Sequence, residues 1–188
     1  MPSRATVVSG LATLCVMALV SACGSRPSPS QTGMAELDAI VEVATKGDVQ
    51  DLQRFIGYTE SRCTHAEGLG GPPKCLEGEE EGAAVEVLPI LGPEGGFIRK
   101  DDIGSWQGVQ VSRLHAAYEV SRAAYSDANY PAGEYALVFL GEPDSQSSLT
   151  LQVRKGKIVR IDYGLTYPPV IRPEDVLRYL VRPSEASP

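Results

Sequence analysis

The stretch "CTHAEGLGGPPKC" sets Cys63, His65 and Cys75 close together. These residue types ligate zinc, pair a thiolate with a base, or close a disulfide. A second titratable residue, His115, lies in an apolar run, with Tyr118, Tyr135 and Asp162 as proton-transfer partners should they share its pocket. The plainer reading is a strand histidine at a sheet surface. Trp106, among glycines, has the shape of a stacking platform, but a lone tryptophan is more often buried. Tyr118, Tyr125, Tyr130, Tyr135, Tyr163 and Tyr167 crowd the C-terminal half, as core and rim residues or as the lining of a pocket. Glu77, Glu79, Glu80 and Glu81 cluster without the ligand order of an EF-hand, so a solvated acidic turn is expected there. No GxSxG, HExxH, phosphate-loop or dinucleotide motif is present, and the sequence calls for no cofactor or metal.

What the cysteines do depends on the compartment. The chain opens "MPSRATVVSGLATLCVMALVSACGS". Arg4 supplies a positive start, and an apolar run from Ala5 to Val20 follows, short for a transmembrane helix. Val20-Ser21-Ala22-Cys23 resembles the lipobox of bacterial lipoproteins. The resemblance implies a signal peptide over 1–22, cleavage before Cys23, and a lipid on the Cys23 thiol. The protein would then sit on the extracytoplasmic face of the cell membrane, in a bacterial envelope. Residues 23–33, "CGSRPSPSQTG", have no apolar face and read as a flexible tether.

With Cys15 removed in the signal and Cys23 lipidated, Cys63 and Cys75 are left as a pair in an oxidising setting, so a disulfide is expected. Zinc is the weaker reading, because the spacing lacks close cysteine pairs and a clear fourth ligand. A Cys/His nucleophile is also weaker, since the second cysteine would oxidise the first. The glycines and prolines between the cysteines form no helix or strand, so a bridged loop is a rigid surface suited to recognition.

The elements follow from periodicity. "MAELDAIVEVATKGD" places Met34, Leu37, Ile40, Val41 and Ala44 on one helical stripe, stopped by Gly47. Asp48 caps a second helix carrying Val49, Leu52, Phe55 and Ile56. "AVEVLPIL" has strand composition, and "GPEGGFIRKDDIGSWQG" is loop-rich with a helical turn near Asp102 to Trp106. "VSRLHAAYEVSRAAY" reads as a strand with Leu114, Ala116, Tyr118 and Val120 alternating, although a helix also fits. "EYALVFLG", "SSLTLQVR" and "KIVRIDYG" read as consecutive strands. A three-residue loop, Arg154 to Gly156, would pair Leu151 with Val159 and Leu149 with Ile161. "RPEDVLRYLV" reads as a short C-terminal helix with Pro173 at its first position.

This order predicts one α+β domain over 34–183, with N-terminal helices packed on a curved antiparallel meander, and a disordered tail over 184–188. It resembles the NTF2-like superfamily (cystatin-like helix-on-sheet folds), where a conical pocket supports acid–base catalysis. The combination of "VSAC", "KGD", "CTHAEGLGGPPKC" and "EYALVFL" also resembles uncharacterised bacterial lipoproteins. An excess of 24 acidic over 17 basic residues argues against nucleic-acid partners. The expected function is therefore a non-catalytic binding or accessory domain, lipid-anchored at the envelope, contacting an envelope protein or a small apolar ligand. The alternative is an NTF2-like enzyme.

Overall fold

The computed structural model describes residues 31–141 and 147–183. The expected signal peptide, the lipobox with Cys23 and the 184–188 tail lie outside the described residues. The order of elements is α1 (Ala35–Lys46), α2 (Val49–Gln53), β1 (Thr59–Arg62), β2 (Ala84–Leu91), β3 (Gly96–Arg99), a 3-10 turn (Lys100–Ser105), β4 (Arg113–Val120), β5 (Tyr135–Leu140), β6 (Ser148–Arg154), β7 (Lys157–Gly164), a second 3-10 turn (Pro173–Asp175) and β8 (Val176–Val181).

The helical corner forms as its residues dictate. Leu37, Ile40, Val41 and Ala44 of α1 are buried. Gly47 takes φ 68° and returns its N–H to the Ala44 carbonyl, and the Asp48 side chain accepts from the Asp51 N–H at 3.0 Å to start α2. The α1 stripe packs on Leu137, Phe139, Leu149, Leu151, Val153, Ile158 and Ile161 in the main core. Fully burying each large aliphatic side chain there stabilises by about 1.5–3 kcal/mol.

The expected helices-on-meander layout does not hold. The eight strands form one mixed sheet in the order β1-β2-β7-β6-β5-β4-β8, with β3 paired to β2. The run β4 to β7 is antiparallel, but Ile90 and Leu91 of β2 pair in parallel with Ile161 and Asp162 of β7. Three strands thus precede the predicted meander and extend its β7 side, and the helices are few and short. The NTF2-like and cystatin-like layout is not what this chain adopts.

The C-terminal segment is the second correction. Pro173 does start a helical turn, but after Asp175 the chain becomes strand β8 along β4. Open hydrogen-bonding groups on the β4 edge, and a Val-Leu-Tyr-rich segment suited to a strand, outweigh the helical start signal. Tyr179 meets Tyr118 edge-on, with ring centroids 6.0 Å apart.

The β6–β7 turn is the third. It has two residues, Lys155 and Gly156, with φ of 51° and 67°, the pattern of a primed hairpin turn. Arg154 faces Lys157 and Val153 faces Ile158, but Gln152 faces Arg160, so Val159 is an extra, bulged residue. The bulge resets the faces: Leu151 pairs with Ile161 and Leu149 with Tyr163, not with Val159 and Ile161 as expected. A similar irregularity in β4 falls between Leu114 and Ala116, at His115. Leu114 consequently faces the main core, whereas Ala116 and Tyr118 join Ala136 and Val138 in a second cluster on the other face. The expected single face of Leu114, Ala116, Tyr118 and Val120 is split. Two packed faces explain why β5 is apolar throughout.

Candidate functional site

Cys63 and Cys75 form a disulfide, their Cα atoms 4.8 Å apart. A bridge across a separation of 12 residues stabilises by about 3 kcal/mol in the chain-entropy account. Backbone hydrogen bonds hold both cysteines as well. The Cys63 N–H donates to the Ala83 carbonyl at 2.9 Å, the Cys75 N–H to Thr64 at 3.0 Å, and the Thr64 N–H to Pro73 at 2.9 Å. Cys63 packs with Val85 and Val87 of β2, and with Phe97 of β3.

The loop between the cysteines leans on the β2–β3 connection. Gly95 sits at the closest approach with φ 64°: a Cβ there would lie 2.8 Å from the Tyr130 hydroxyl and 3.4 Å from the Gly70 Cα. No residue but glycine fits both constraints. Between loop and hairpin runs an open groove of about 350 Å³, lined by Gly68, Leu69, Gly70, Pro72, Pro73, Lys74, Gly95, Gly96, Phe97, Arg99 and Asp102. Leu69 stands at its rim, 76% exposed.

Arg99 fixes the groove's charged end. It donates to both carboxylate oxygens of Glu79, at 2.8 and 2.6 Å, and to the Lys74 carbonyl at 3.0 Å. One guanidinium therefore ties β3 to the disulfide loop and to the acidic turn. The Arg99 contact, helped by the Leu76 N–H, holds the Glu79 carboxyl below its usual range. Glu81 is likewise lowered, first by accepting the His65 N–H at 2.5 Å. The acidic turn expected to be merely solvated is thus pinned at two of its four carboxylates. His65 is exposed, as expected, with its ring Nε2 2.9 Å from the Glu79 carbonyl oxygen.

The other residues singled out in the sequence do not come together. Trp106 is half-buried against the main core. His115 is 5% exposed, and its Nδ1 has no hydrogen-bond partner. Burial and the charge of Arg113 push its pKa down. Tyr135 packs against the main core, whereas Tyr118 lies in the cluster on the opposite face. Burial, aided by Asp175 and Asp162, pushes the Tyr118 phenol up to about 12. None of these four lines the groove.

Asp162 is committed elsewhere. Arg160, whose side chain is 4% exposed, donates to it from Nε at 2.6 Å and from Nη2 at 3.0 Å. The Arg160 Nη1 also donates to the Tyr125 and Tyr130 carbonyls, at 3.1 and 2.8 Å. Gln152 adds a bond from Nε2 to Asp162 and accepts the Gly133 N–H. This network holds the 121–134 connection onto the sheet and leaves Asp162 no role as a partner for His115.

The groove-lining side chains that carry no sequence signal are Phe97 and Arg99. No spacing signal links positions so far apart; a short apolar-charged strand after "GPEGG" is the one cue that a hairpin faces the loop. No family model matches the chain, and neither a curated protein nor a solved structure matches it.

Proposed function

We propose that this chain is a lipid-anchored extracytoplasmic lipoprotein whose folded domain is a non-catalytic binding or accessory module at the cell envelope. The lipobox-like Val20-Ser21-Ala22-Cys23 supports the anchor, and "GSRPSPS" after it supports a tether that lets the domain reach a neighbour. The observation that carries the binding role is the bridged loop. It is fixed by the disulfide, by its backbone bonds and by Arg99, yet it presents Leu69 to solvent beside a groove. A surface held rigid before contact loses little entropy on binding. An open groove walled largely by glycine and proline backbone suits an extended segment of an envelope protein better than an enclosed small molecule.

Two measurements test this reading. Fatty-acid labelling in the native host should mark the natural chain and not the Cys23→Ala chain; equal labelling of both ends the anchor. A photo-crosslinking side chain at Leu69 should capture a defined envelope protein, with an exposed position on α1, Thr45, as control. Identical capture patterns from the two positions would remove the groove from the reading.

A further inference from the structure

We propose that the disulfide loop holds a latent zinc site, closed while Cys63 and Cys75 are bridged and opened by reduction. The Cys63 Sγ, the Cys75 Sγ and a Glu79 carboxylate oxygen lie within 4.8 Å of one another, and so do a His65 ring nitrogen, the Cys75 Sγ and a Glu81 oxygen. The two sets share Cys75. Through Cys75 they bring two sulfurs, an imidazole and two carboxylates into one neighbourhood, which spacing alone does not supply. Cys63, Cys75 and Glu79 are three ligands already grouped, and His65, within reach of Cys75 beside Glu81, becomes the fourth by turning its side chain toward the same ion, the four-coordinate arrangement that zinc favours.

The bridged sulfurs are poor ligands, because zinc takes thiolates. A dithiol reductant attacks the disulfide, leaves as its own disulfide, and delivers two electrons and two protons to give two thiols. Zinc binding then displaces both thiol protons. Tetrahedral coordination sets two sulfurs about 3.8 Å apart at ordinary zinc–sulfur lengths. Side-chain rotation reaches that spacing from Cα atoms 4.8 Å apart, without moving the backbone.

The cysteines do not depend on the bridge alone for their positions. The backbone bonds from Cys63 to Ala83, Cys75 to Thr64 and Thr64 to Pro73 are main-chain contacts that do not pass through the sulfurs. Arg99 orients Glu79, and its charge offsets the net negative charge of zinc with two thiolates and one carboxylate. The Glu81 carboxylate accepts the backbone N–H of His65 and so fixes that residue's main chain.

The folded domain, oxidised or reduced with a phosphine, is loaded with zinc and desalted, and bound metal is counted. The expected result is one zinc per reduced chain and none per oxidised chain. Zinc should also raise the melting temperature of the reduced form only, which shows binding to the folded state. Cobalt in place of zinc should give the intense visible bands of a tetrahedral thiolate site. His65→Ala and Glu79→Gln should each weaken zinc binding to the reduced chain about tenfold or more. No zinc on the reduced chain, equal zinc on both forms, or full affinity in His65→Ala would each overturn the proposal. The His65→Ala comparison keeps both cysteines, so it decides without disturbing the bridge that supports the fold.

Discussion

Replacing Arg160 with methionine removes the cation beneath the 121–134 connection and keeps most of the side-chain volume. Three groups lose a donor, the Asp162 carboxylate and the carbonyls of Tyr125 and Tyr130, although Gln152 still donates to Asp162 and the Asp127 N–H to Tyr130. Breaking a buried ion pair from one side costs about 3–5 kcal/mol. Asp162 has a side chain 21% exposed, so water takes up part of its charge and the lower end applies. Arg160→Met should therefore cost about 3 kcal/mol. Urea unfolding followed by tyrosine fluorescence would show this as a lower midpoint at unchanged slope. Trypsin should also cleave faster after Arg122, because the connection loses its tether. The double variant Arg160→Met/Asp162→Leu removes both charges, and should be more stable than Arg160→Met alone. A loss below about 1 kcal/mol in Arg160→Met, or a double variant no more stable than the single, would show that the pair does not hold this connection.

The remaining predictions concern His115 and Gly156. Burial and Arg113 lower the His115 pKa in the fold, so the unfolded chain takes up the proton first as pH falls. The associated stability is fully present above about pH 6.5 and is lost as pH drops below it, down through the folded pKa. His115→Gln should flatten the rise in unfolding midpoint between about pH 5 and 7, and an unchanged slope would remove His115 as its source. Gly156 has φ 67°, and a Cβ there would sit 3.1 Å from the Glu36 Oε2. Gly156→Val should cost about 1–2 kcal/mol and Gly156→Asn clearly less; equal losses in thermal melts would rule out backbone strain as the cause.

The parts of the fold that could be read from the sequence are those set by local chemistry. Gly47 and Asp48 mark the helical corner, and the α1 stripe is the buried one. The strands β5, β6 and β7 show in their apolar patterning, and the disulfide follows from the cysteine count. What escaped was set by partners distant in sequence. The bulges at Val159 and His115 leave no mark in composition, yet each moves a set of side chains to the other face. Pro173, Glu174 and Asp175 look the same before a helix as before a strand, and only the open edge of β4 decides. The burial of Arg160 leaves no mark either, because the Tyr125 and Tyr130 carbonyls that share it with Asp162 lie on a separate segment. The groove escaped for the same reason: Leu69, Glu79 and Arg99 converge through tertiary packing.

The pairing of β8 with β4 has a consequence for how the chain is looked after in the cell. Everything from β5 to β7 lies between these two strands in the sequence, so the outer edge of β4 waits for Val176–Val181. A polypeptide nicked or stopped before Val176 would bare that edge together with the apolar surface of Ala116, Tyr118 and Val138. Open apolar edges recruit other strands and invite aggregation and proteases. The seam thus works as a completeness check: only an intact chain carries the strand that conceals its own adhesive surface.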